Sequence, residues 1–244
     1  MRIAVFSDVH SNLEALSAFI EHSMTRNIHR YVCLGDIVGY GANPNQCIRL
    51  LQSIPDIFFV LGNHDNAAGS EIVAMNGDAG RAILWTKRRL TLQNTGFLKG
   101  MSENISLENL FFCHANPSGK SDWYYIAEKA YISRTFFRSR AKILFAGHTH
   151  AAAVITRKNF FCVYIRKPEN GAVVPVASLN RQIFNCGSIG QPRDGDPRAS
   201  YIIYDSEKSV VEFHRVEYDH KRAANKILAA GLPGLLADRL LTGS

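Results

Sequence analysis

Short apolar runs of strand length alternate with longer mixed stretches in the first two-thirds of the chain. Five of these runs are rich in β-branched and aromatic residues, which is typical of strands. They cover residues 3–6, 31–34, 57–61, 110–113 and 143–146. We therefore predict a strand for each run.

Helical patterns fill the intervals between these runs. Apolar residues recur at the spacing of one helix face between residues 13 and 20, and Ser11 with Glu14 has the form of a capping box at the start. Two further helices are predicted at residues 47–52 and 78–89. The resulting strand–helix–strand rhythm predicts an α/β layer fold.

The pattern changes after His150. Strand-like runs at residues 160–165, 173–176, 181–185, 201–205 and 210–216 are separated by turn signals at 167–171 and 190–197. We expect these strands to form a meander packed against the first sheet, within one domain spanning residues 1–244. The tail, residues 219–241, is predicted to be helical with a break at the Gly- and Pro-containing stretch 231–234.

Composition narrows the class of protein. The chain has 244 residues, of which 46% are hydrophobic and 20% charged, and this balance excludes a disordered chain or a coiled-coil rod. Its apolar runs are far shorter than the ~20 residues that span a bilayer, and the first run is too short for a signal peptide. We expect a cytoplasmic protein without a membrane partner.

The charge balance and the cysteines limit the partners further. A formal charge of +7 favours anionic partners, including phosphorylated metabolites and nucleic acid. No block of basic residues supports nucleic acid, so a small phosphorylated substrate is the better prediction. The five cysteines are scattered and form no CxxC pair, which argues against disulfides and thiolate zinc sites. The sequence does not indicate an oligomeric state.

Polar side chains follow every one of the first five runs, at the edge where ligands bind in open α/β sheets. The seven candidate metal ligands are Asp8, His10, Asp36, Asn63, His114, His148 and His150. In an extended segment, residues i and i+2 point to the same side, so Asp8 with His10 and His148 with His150 should converge. Imidazole and carboxylate without thiolate suit Mn, Fe, Zn or Ni. Seven donors are too many for one tetrahedral ion and about right for two ions that share a carboxylate.

These residues lie in motifs of the forms DxH, GDxxG, GNHD, a lone His and GHxH, and their order resembles that of the calcineurin-like metallophosphoesterase superfamily. The later stretch 185–193 is similar to the NxGSxGxPR segment of its compact bacterial phosphodiesterase branch, which includes diadenosine tetraphosphatase-like proteins. The resemblance covers nearly the whole chain. It implies a four-layer αββα sandwich, in which two mixed β-sheets are flanked by helices.

The resemblance also implies roles for individual residues. One metal ion would take Asp8, His10 and His150, the other would take Asn63, His114 and His148, and Asp36 would bridge them. A hydroxide held by both ions would attack phosphorus in line. His64 would then protonate the leaving group, and Asp65 could orient the His64 ring and raise its pKa.

Substrate contacts are less clearly indicated. Asn12 fits either a role at the helix start or one facing the phosphate, and Arg193 could fork onto a phosphate. The aromatic cluster 123–125 could stack on a base, although such clusters more often pack inside the protein. The remaining histidines lie outside the motifs and are expected at the surface: His22, His29, His214 and His220.

The predicted function is a metal-dependent phosphohydrolase that acts on phosphodiesters or phosphomonoesters. A dinucleoside tetraphosphate hydrolase is the alternative within the enzyme class. A non-catalytic scaffold that keeps the fold is the alternative of a different class, although such scaffolds typically lose ligands that this chain retains. A DNA nuclease is less favoured, because the length leaves little room for a domain that grips DNA.

Overall fold

The computed structural model describes residues 1–70, 75, 77–159 and 162–244. Within them the α-helices are α1 (Leu13–Met24), α2 (Pro44–Gln52), α3 (Asn63–Gly69), α4 (Gly77–Lys87), α5 (Leu92–Lys99), α6 (Lys129–Arg138), α7 (His220–Ala229) and α8 (Gly234–Thr242). The strands are β1 (Arg2–Phe6), β2 (Arg30–Cys33), β3 (Ile57–Phe59), β4 (Asn104–Leu107), β5 (Leu110–Cys113), β6 (Ile143–Ala146), β7 (Ala152–Arg157), β8 (Val163–Arg166), β9 (Val173–Pro175), β10 (Arg181–Cys186), β11 (Ala199–Asp205) and β12 (Val210–Val216).

Two mixed six-stranded sheets form the centre of the fold. The first has the order β3-β2-β1-β11-β12-β9, with β1, β2 and β3 parallel and the later strands antiparallel. The second has the order β4-β5-β6-β10-β7-β8, with β5, β6 and β10 parallel. Each sheet therefore sends several parallel strands toward one common edge.

Alternation along β1 shows how the layers are built. Ile3 and Val5 belong to the apolar cluster between the sheets, whereas Ala4 and Phe6 pack in a second cluster beneath α1 and α2. On the far side of the other sheet, α6 packs through Ile132 in a third cluster. The order of layers is helix, sheet, sheet, helix, so the predicted four-layer sandwich is confirmed.

The second half of the chain differs from its expected arrangement. Its strands do not form a meander on one sheet. Instead β7, β8 and β10 complete the second sheet, and β9, β11 and β12 complete the first. The two-sheet arrangement buries strands from both halves of the sequence against each other. Residues 160 and 161 of the predicted strand 160–165 lie outside the described residues.

The start of α1 also differs from its prediction. The N-cap is Asn12 rather than Ser11, and its Oδ1 accepts a hydrogen bond from the Ala15 backbone at 3.1 Å. Asn12 Nδ2 donates to the carbonyl of Gly190 at 2.9 Å. Both ends of this buried amide are therefore used inside the fold.

The C-terminal helices close one side of the molecule. Leu236 and Ala82 share an apolar cluster that joins α8 to α4, and Tyr40 belongs to the same cluster. The last turn reaches the loop after β10, because the Gly195 backbone N–H donates to the carbonyl of Gly243 at 2.9 Å. No helix among the described residues combines the length and apolar character needed to cross a membrane.

Candidate metal centre and cleft

Loops after neighbouring strands bring the predicted site residues to one edge of the sheets. β1 leads to Asp8 and His10, β2 to Asp36, β5 to His114, and β6 to His148 and His150, while Asn63 and His64 begin α3 after β3. Backbone hydrogen bonds join the first two loops. The N–H of Asp8 donates to Gly35 at 2.9 Å, and the N–H of His10 donates to Asp36 at 2.9 Å. The parallel strand ends therefore hold these loops in register.

The backbone at the site is left-handed rather than extended. The angle φ lies between 47° and 66° at Asp8, His10, Asp36, His148 and His150. Such a conformation costs a non-glycine residue about 1–2 kcal/mol, and strained residues of this kind cluster at functional sites. The side chains converge because the chain turns sharply after each strand. The alternation argument made from the sequence is wrong for these residues.

Asp8, His10 and His150 form the first cluster. His10 Nε2 lies 3.1 Å from His150 Nε2, and Asp8 Oδ1 lies 3.3 Å from the same His150 atom. All three side chains are buried. Asp8 Oδ2 accepts a hydrogen bond from the His148 backbone at 3.0 Å, which fixes the carboxylate.

Asn63, His114 and His148 form the second cluster. His114 Nε2 lies 3.0 Å from Asn63 Oδ1 and 3.1 Å from His148 Nδ1. Asp36 lies between the two clusters: its Oδ2 is 3.3 Å from His114 Nε2 and 3.7 Å from His10 Nε2. The seven predicted ligands are therefore brought together around one carboxylate.

The second nitrogen of each histidine is held by a backbone carbonyl. Nδ1 of His114 donates to Leu34 at 2.9 Å, Nδ1 of His10 to Val38 at 3.2 Å, Nδ1 of His150 to Gln191 at 2.6 Å, and Nε2 of His148 to Trp123 at 2.9 Å. A donor N–H on one side leaves the other nitrogen as a lone-pair ligand, the arrangement that metal-binding histidines need. His148 is turned relative to the other three.

Burial and mutual charge shift the pKa values of these groups. Burial lowers the pKa of His148 to about 3 and that of His64 to about 4. At His114 burial acts in the same direction, but the Asp36 carboxylate outweighs it and raises the pKa to about 9. Burial opposes ionisation of Asp36, yet the surrounding histidines, first His114, hold its pKa well below the ordinary value. A carboxylate kept ionised inside the protein is suited to bind a cation.

These donors fit a divalent metal. Ligand atoms lie within 4.8 Å of one another in each of the triplets Asp8–His10–His150, His10–Asp36–His64 and Asp36–His114–His148. Asp8 Oδ1 is buried and has no hydrogen-bond partner among the described residues, which is costly unless a ligand is bound. The mixture of imidazole, carboxylate and amide oxygen suits borderline divalent ions.

An open cleft lies over this centre. It is lined by Asp36, Tyr40, Asn63, His64, Met75, Ala79, Tyr125, His148, His150 and Arg193. Tyr40 was not predicted from the sequence. Its ring packs 4.4 Å from the His10 ring and 4.5 Å from the His64 ring, measured between centroids. The tyrosine directly after the GDxxG motif was the available signal.

Asp65 has other contacts than expected, and Asn12 has one of its two expected roles. The Asp65 carboxylate makes no hydrogen bond to the His64 ring among the described residues. Its Oδ1 accepts from the Val38 N–H at 3.1 Å and its Oδ2 from the Gly62 N–H at 3.2 Å, so the prediction that it orients His64 is wrong. Asn12 caps α1 and does not line the cleft, and we assign it a structural role.

The aromatic cluster is divided between packing and the cleft. Tyr124 is buried, and its hydroxyl hydrogen-bonds to Thr135 at 3.1 Å. Tyr125 is 49% exposed and stacks on the His148 ring with centroids 4.3 Å apart. Only Tyr125 among the three residues 123–125 therefore lines the described part of the cleft.

The remaining histidines are mostly not at the surface. His22 Nδ1 hydrogen-bonds to the Tyr201 hydroxyl at 2.8 Å, and His214 stacks on the same Tyr201 ring. His220 Nε2 hydrogen-bonds to the carbonyl of Pro197 at 3.0 Å. These three side chains are half-buried, and only His29 is exposed as expected.

The family model described as the calcineurin-like phosphoesterase superfamily domain matches residues 1–209 of this chain. The chain belongs to this superfamily. A full-length relative supports the assignment: the uncharacterized protein MJ0912 of Methanocaldococcus jannaschii is 38% identical over 247 residues, which cover 99% of this chain and 98% of the relative. The calcineurin-like fold thus accounts for the two mixed sheets and the ligand-bearing loops between them.

Two solved structures are similar in fold to this superfamily member along its whole length. The crystal structure of a metallophosphoesterase from Sphaerobacter thermophilus has a TM-score of 0.89 at 36% identity and covers 100% of this chain and 99% of that one. A hypothetical protein, PH1004 from Pyrococcus horikoshii, has a TM-score of 0.80 at 17% identity, with 100% and 98% covered. The second likeness shows the fold alone.

Proposed function

We propose that this superfamily member is a metal-dependent phosphohydrolase that cleaves phosphodiester or phosphomonoester bonds at a centre of two divalent ions. The observation that carries the proposal is the sharing of Asp36 Oδ2 between two histidine clusters, at 3.3 Å from His114 and 3.7 Å from His10. A single carboxylate at that point would place negative charge between two bound cations and would reduce their repulsion. We assign Mn, Fe, Zn or Ni as the candidate ions.

Residues of this chain hold the histidine rings and the Asp36 carboxylate in fixed positions before a substrate binds. Two bound ions would supply a water of lowered pKa as nucleophile and would neutralise charge on the phosphoryl oxygens. The backbone carbonyls of Leu34, Val38 and Gln191 hold three histidine rings in fixed orientations. The Asp36 carboxylate stays in place because its Oδ1 accepts a hydrogen bond from the backbone N–H of His64 at 2.8 Å. Little reorganisation is then needed when the substrate binds.

His64 is the proposed general acid. Its ring lines the cleft, and Nδ1 faces Gly39, where an added Cβ would clash with it; Nδ1 has no hydrogen-bond partner among the described residues. A buried N–H without an acceptor is unfavourable, so the proton belongs on Nε2. In the neutral ring we assign to Nε2–H a hydrogen bond to the leaving oxygen; the proton is transferred to that oxygen from the imidazolium form, which is left as neutral imidazole. The negative charge of a phosphate ester next to the ring favours its protonated form.

A dinucleoside polyphosphate is the second candidate substrate. The half-exposed Tyr125 ring at the cleft could stack on a nucleobase or aryl group. A structure described as a putative diadenosine tetraphosphatase shares the fold at a TM-score of 0.51 and 14% identity, which is evidence for the fold only. The choice between this substrate and simpler esters therefore rests on Tyr125.

The test is hydrolysis by the full chain, stripped of metal by chelation and then reloaded separately with Mn, Fe(II), Zn or Ni. The substrates are 4-nitrophenyl phosphate, bis(4-nitrophenyl) phosphate and diadenosine tetraphosphate. We expect turnover with at least one metal, loss of turnover on chelation, and about two ions per chain by elemental analysis. No turnover with any metal would favour a non-catalytic scaffold instead.

A His64→Ala variant tests the general acid. Because good leaving groups need little protonation, we expect rates on alkyl esters to fall about 100-fold and rates on nitrophenyl esters to fall much less. Metal content should stay unchanged. His29→Ala, at an exposed histidine, is the matched control. Equal losses on alkyl and nitrophenyl esters would remove His64 from this role.

A further inference from the structure

Arg193 lines the cleft and has no acidic partner among the described residues. Its guanidinium carbon lies 5.5 Å from the centroid of the Tyr40 ring, and none of the ion pairs among the described residues includes it. Its Nε is buried and has no hydrogen-bond partner among the residues that the structure describes. A guanidinium held in this way is suited to bind an anionic group of a substrate.

The Gln191 side chain accepts a hydrogen bond from this guanidinium. Gln191 is 1% exposed, and its Oε1 accepts a hydrogen bond from Arg193 Nη2 at 2.9 Å. Oε1 is an acceptor without charge, so it orients the guanidinium and leaves its positive charge uncompensated. An acidic residue in the same place would orient the group and also neutralise it.

The backbone of Gln191 is fixed independently of its side chain. Its N–H donates to Ser188 Oγ at 2.9 Å, and its carbonyl accepts from His150 Nδ1 at 2.6 Å. The N–H of Arg193 in turn donates to the carbonyl of His150 at 3.0 Å. One residue thus contacts a candidate metal ligand through its main chain and the cleft arginine through its side chain.

We propose that Gln191 is a positioning residue whose side chain fixes Arg193 as the anion-binding group of the cleft, apart from the metal ligands. The inference rests on the proposed phosphohydrolase function. An arginine that is already ordered loses less side-chain freedom when it binds a phosphoryl group. The side chain of Gln191 therefore acts on substrate binding, whereas its carbonyl acts on His150.

The experiment uses the full chain loaded with the metal that gives turnover. Gln191→Met removes the acceptor at similar size and leaves the main-chain contact with His150. We expect the KM of bis(4-nitrophenyl) phosphate and the inhibition constant of inorganic phosphate to rise about tenfold. Turnover at saturation and metal content should stay within about twofold of the wild type, the pattern of lost uniform binding.

Three further variants separate positioning from a merely structural role. Gln191→Glu keeps the acceptor but neutralises Arg193, so it should fold normally and still weaken inorganic phosphate binding. In an Arg193→Ala background, Gln191→Met should have almost no additional effect, because the two residues act as a unit. Gln93→Met, at an exposed position of α5, is the matched control for the methionine substitution and should match the wild type.

The outcomes distinguish this inference from the proposed function. A wild type inactive with every metal overturns the function itself. An active wild type with an unchanged KM in Gln191→Met, or an equal effect of that change with and without Arg193, overturns the positioning role. If Gln191→Met fails to fold, normal phosphate binding by the folded Gln191→Glu variant also refutes the role.

Discussion

Gly62 offers a steric test of the position of Asp36. Gly62 precedes α3 with φ −93° and ψ 166°, a conformation open to any residue, so alanine adds no backbone strain there. An added Cβ would lie 2.8 Å from Asp36 Cγ and closer still to Asp36 Oδ1 and its backbone nitrogen. Carbon atoms in contact prefer about 3.5–4.0 Å, so the Asp36 carboxylate and its backbone would have to move away from residue 62 by about 1 Å.

A displacement of that size should be visible in catalysis. Misplacement by about 1 Å can cost about 100-fold in rate, and we expect Gly62→Ala to lose about that much kcat/KM. The loss corresponds to about 2.7 kcal/mol of transition-state stabilisation. The assay is hydrolysis of bis(4-nitrophenyl) phosphate by metal-loaded protein, with metal content and thermal unfolding measured on the same samples.

Gly96→Ala is the control for this substitution. Gly96 lies in α5, and beyond its chain neighbours and the backbone of its own helix, no atom of the described residues lies within 4 Å of the position an added Cβ would take. Alanine should therefore raise stability by about 0.5–1 kcal/mol and leave activity unchanged. A folded Gly62→Ala protein with normal metal content and activity within threefold of the wild type would refute the placement of Asp36.

Three other substitutions have expected outcomes. Asp36→Asn removes the shared charge, so we expect fewer than two ions per chain after dialysis; two retained ions by elemental analysis would contradict this. Burial lowers the pKa of His214 to about 4 from 6.5, so its contribution to stability is complete above pH 6.5 and is lost as pH falls toward 4. His214→Gln should therefore flatten the pH dependence of urea unfolding between pH 7 and 4.5, and an unchanged slope would exclude this cause. Stacking of a base on Tyr125 should contribute about 1 kcal/mol or more. We therefore expect Tyr125→Leu to raise the KM of diadenosine tetraphosphate about fivefold to tenfold, and Tyr125→Phe to leave it unchanged. Equal KM values for the leucine variant and the wild type would exclude stacking.

Strands with continuous apolar runs (β5 and β6) or with alternating apolar residues (β12) could be predicted from the sequence with accurate bounds. The prediction for β5, β6 and β12 agrees with the structure residue for residue. β4 was missed because its residues alternate between exposed and half-buried, and its polar composition hides the strand. The pairing of late strands with early ones could not be predicted, since it depends on contacts far apart in sequence.

The donor residues of the site could be predicted from the sequence, but the contacts of the residues around them could not. Order and spacing of the motifs identified all seven clustered donors. The role of Asp65 was misassigned because its carboxylate satisfies a backbone group at a helix start, a local demand that competes with chemistry. For Asn12 the sequence left two roles open, and the structure shows the one at the helix start. Tyr40 and Gln191 were missed because their importance lies in contacts with His10, His64 and Arg193, which only the folded chain brings together.

The hydrogen bond between Gly195 and Gly243 has a practical consequence. The bond joins the residue that follows α8 to the segment that continues from Arg193, so a purification tag fused after Ser244 would start close to that segment. Rate constants should therefore be compared with and without such a tag. Cleavable handles, removed before kinetic work, are the safer choice for this enzyme candidate.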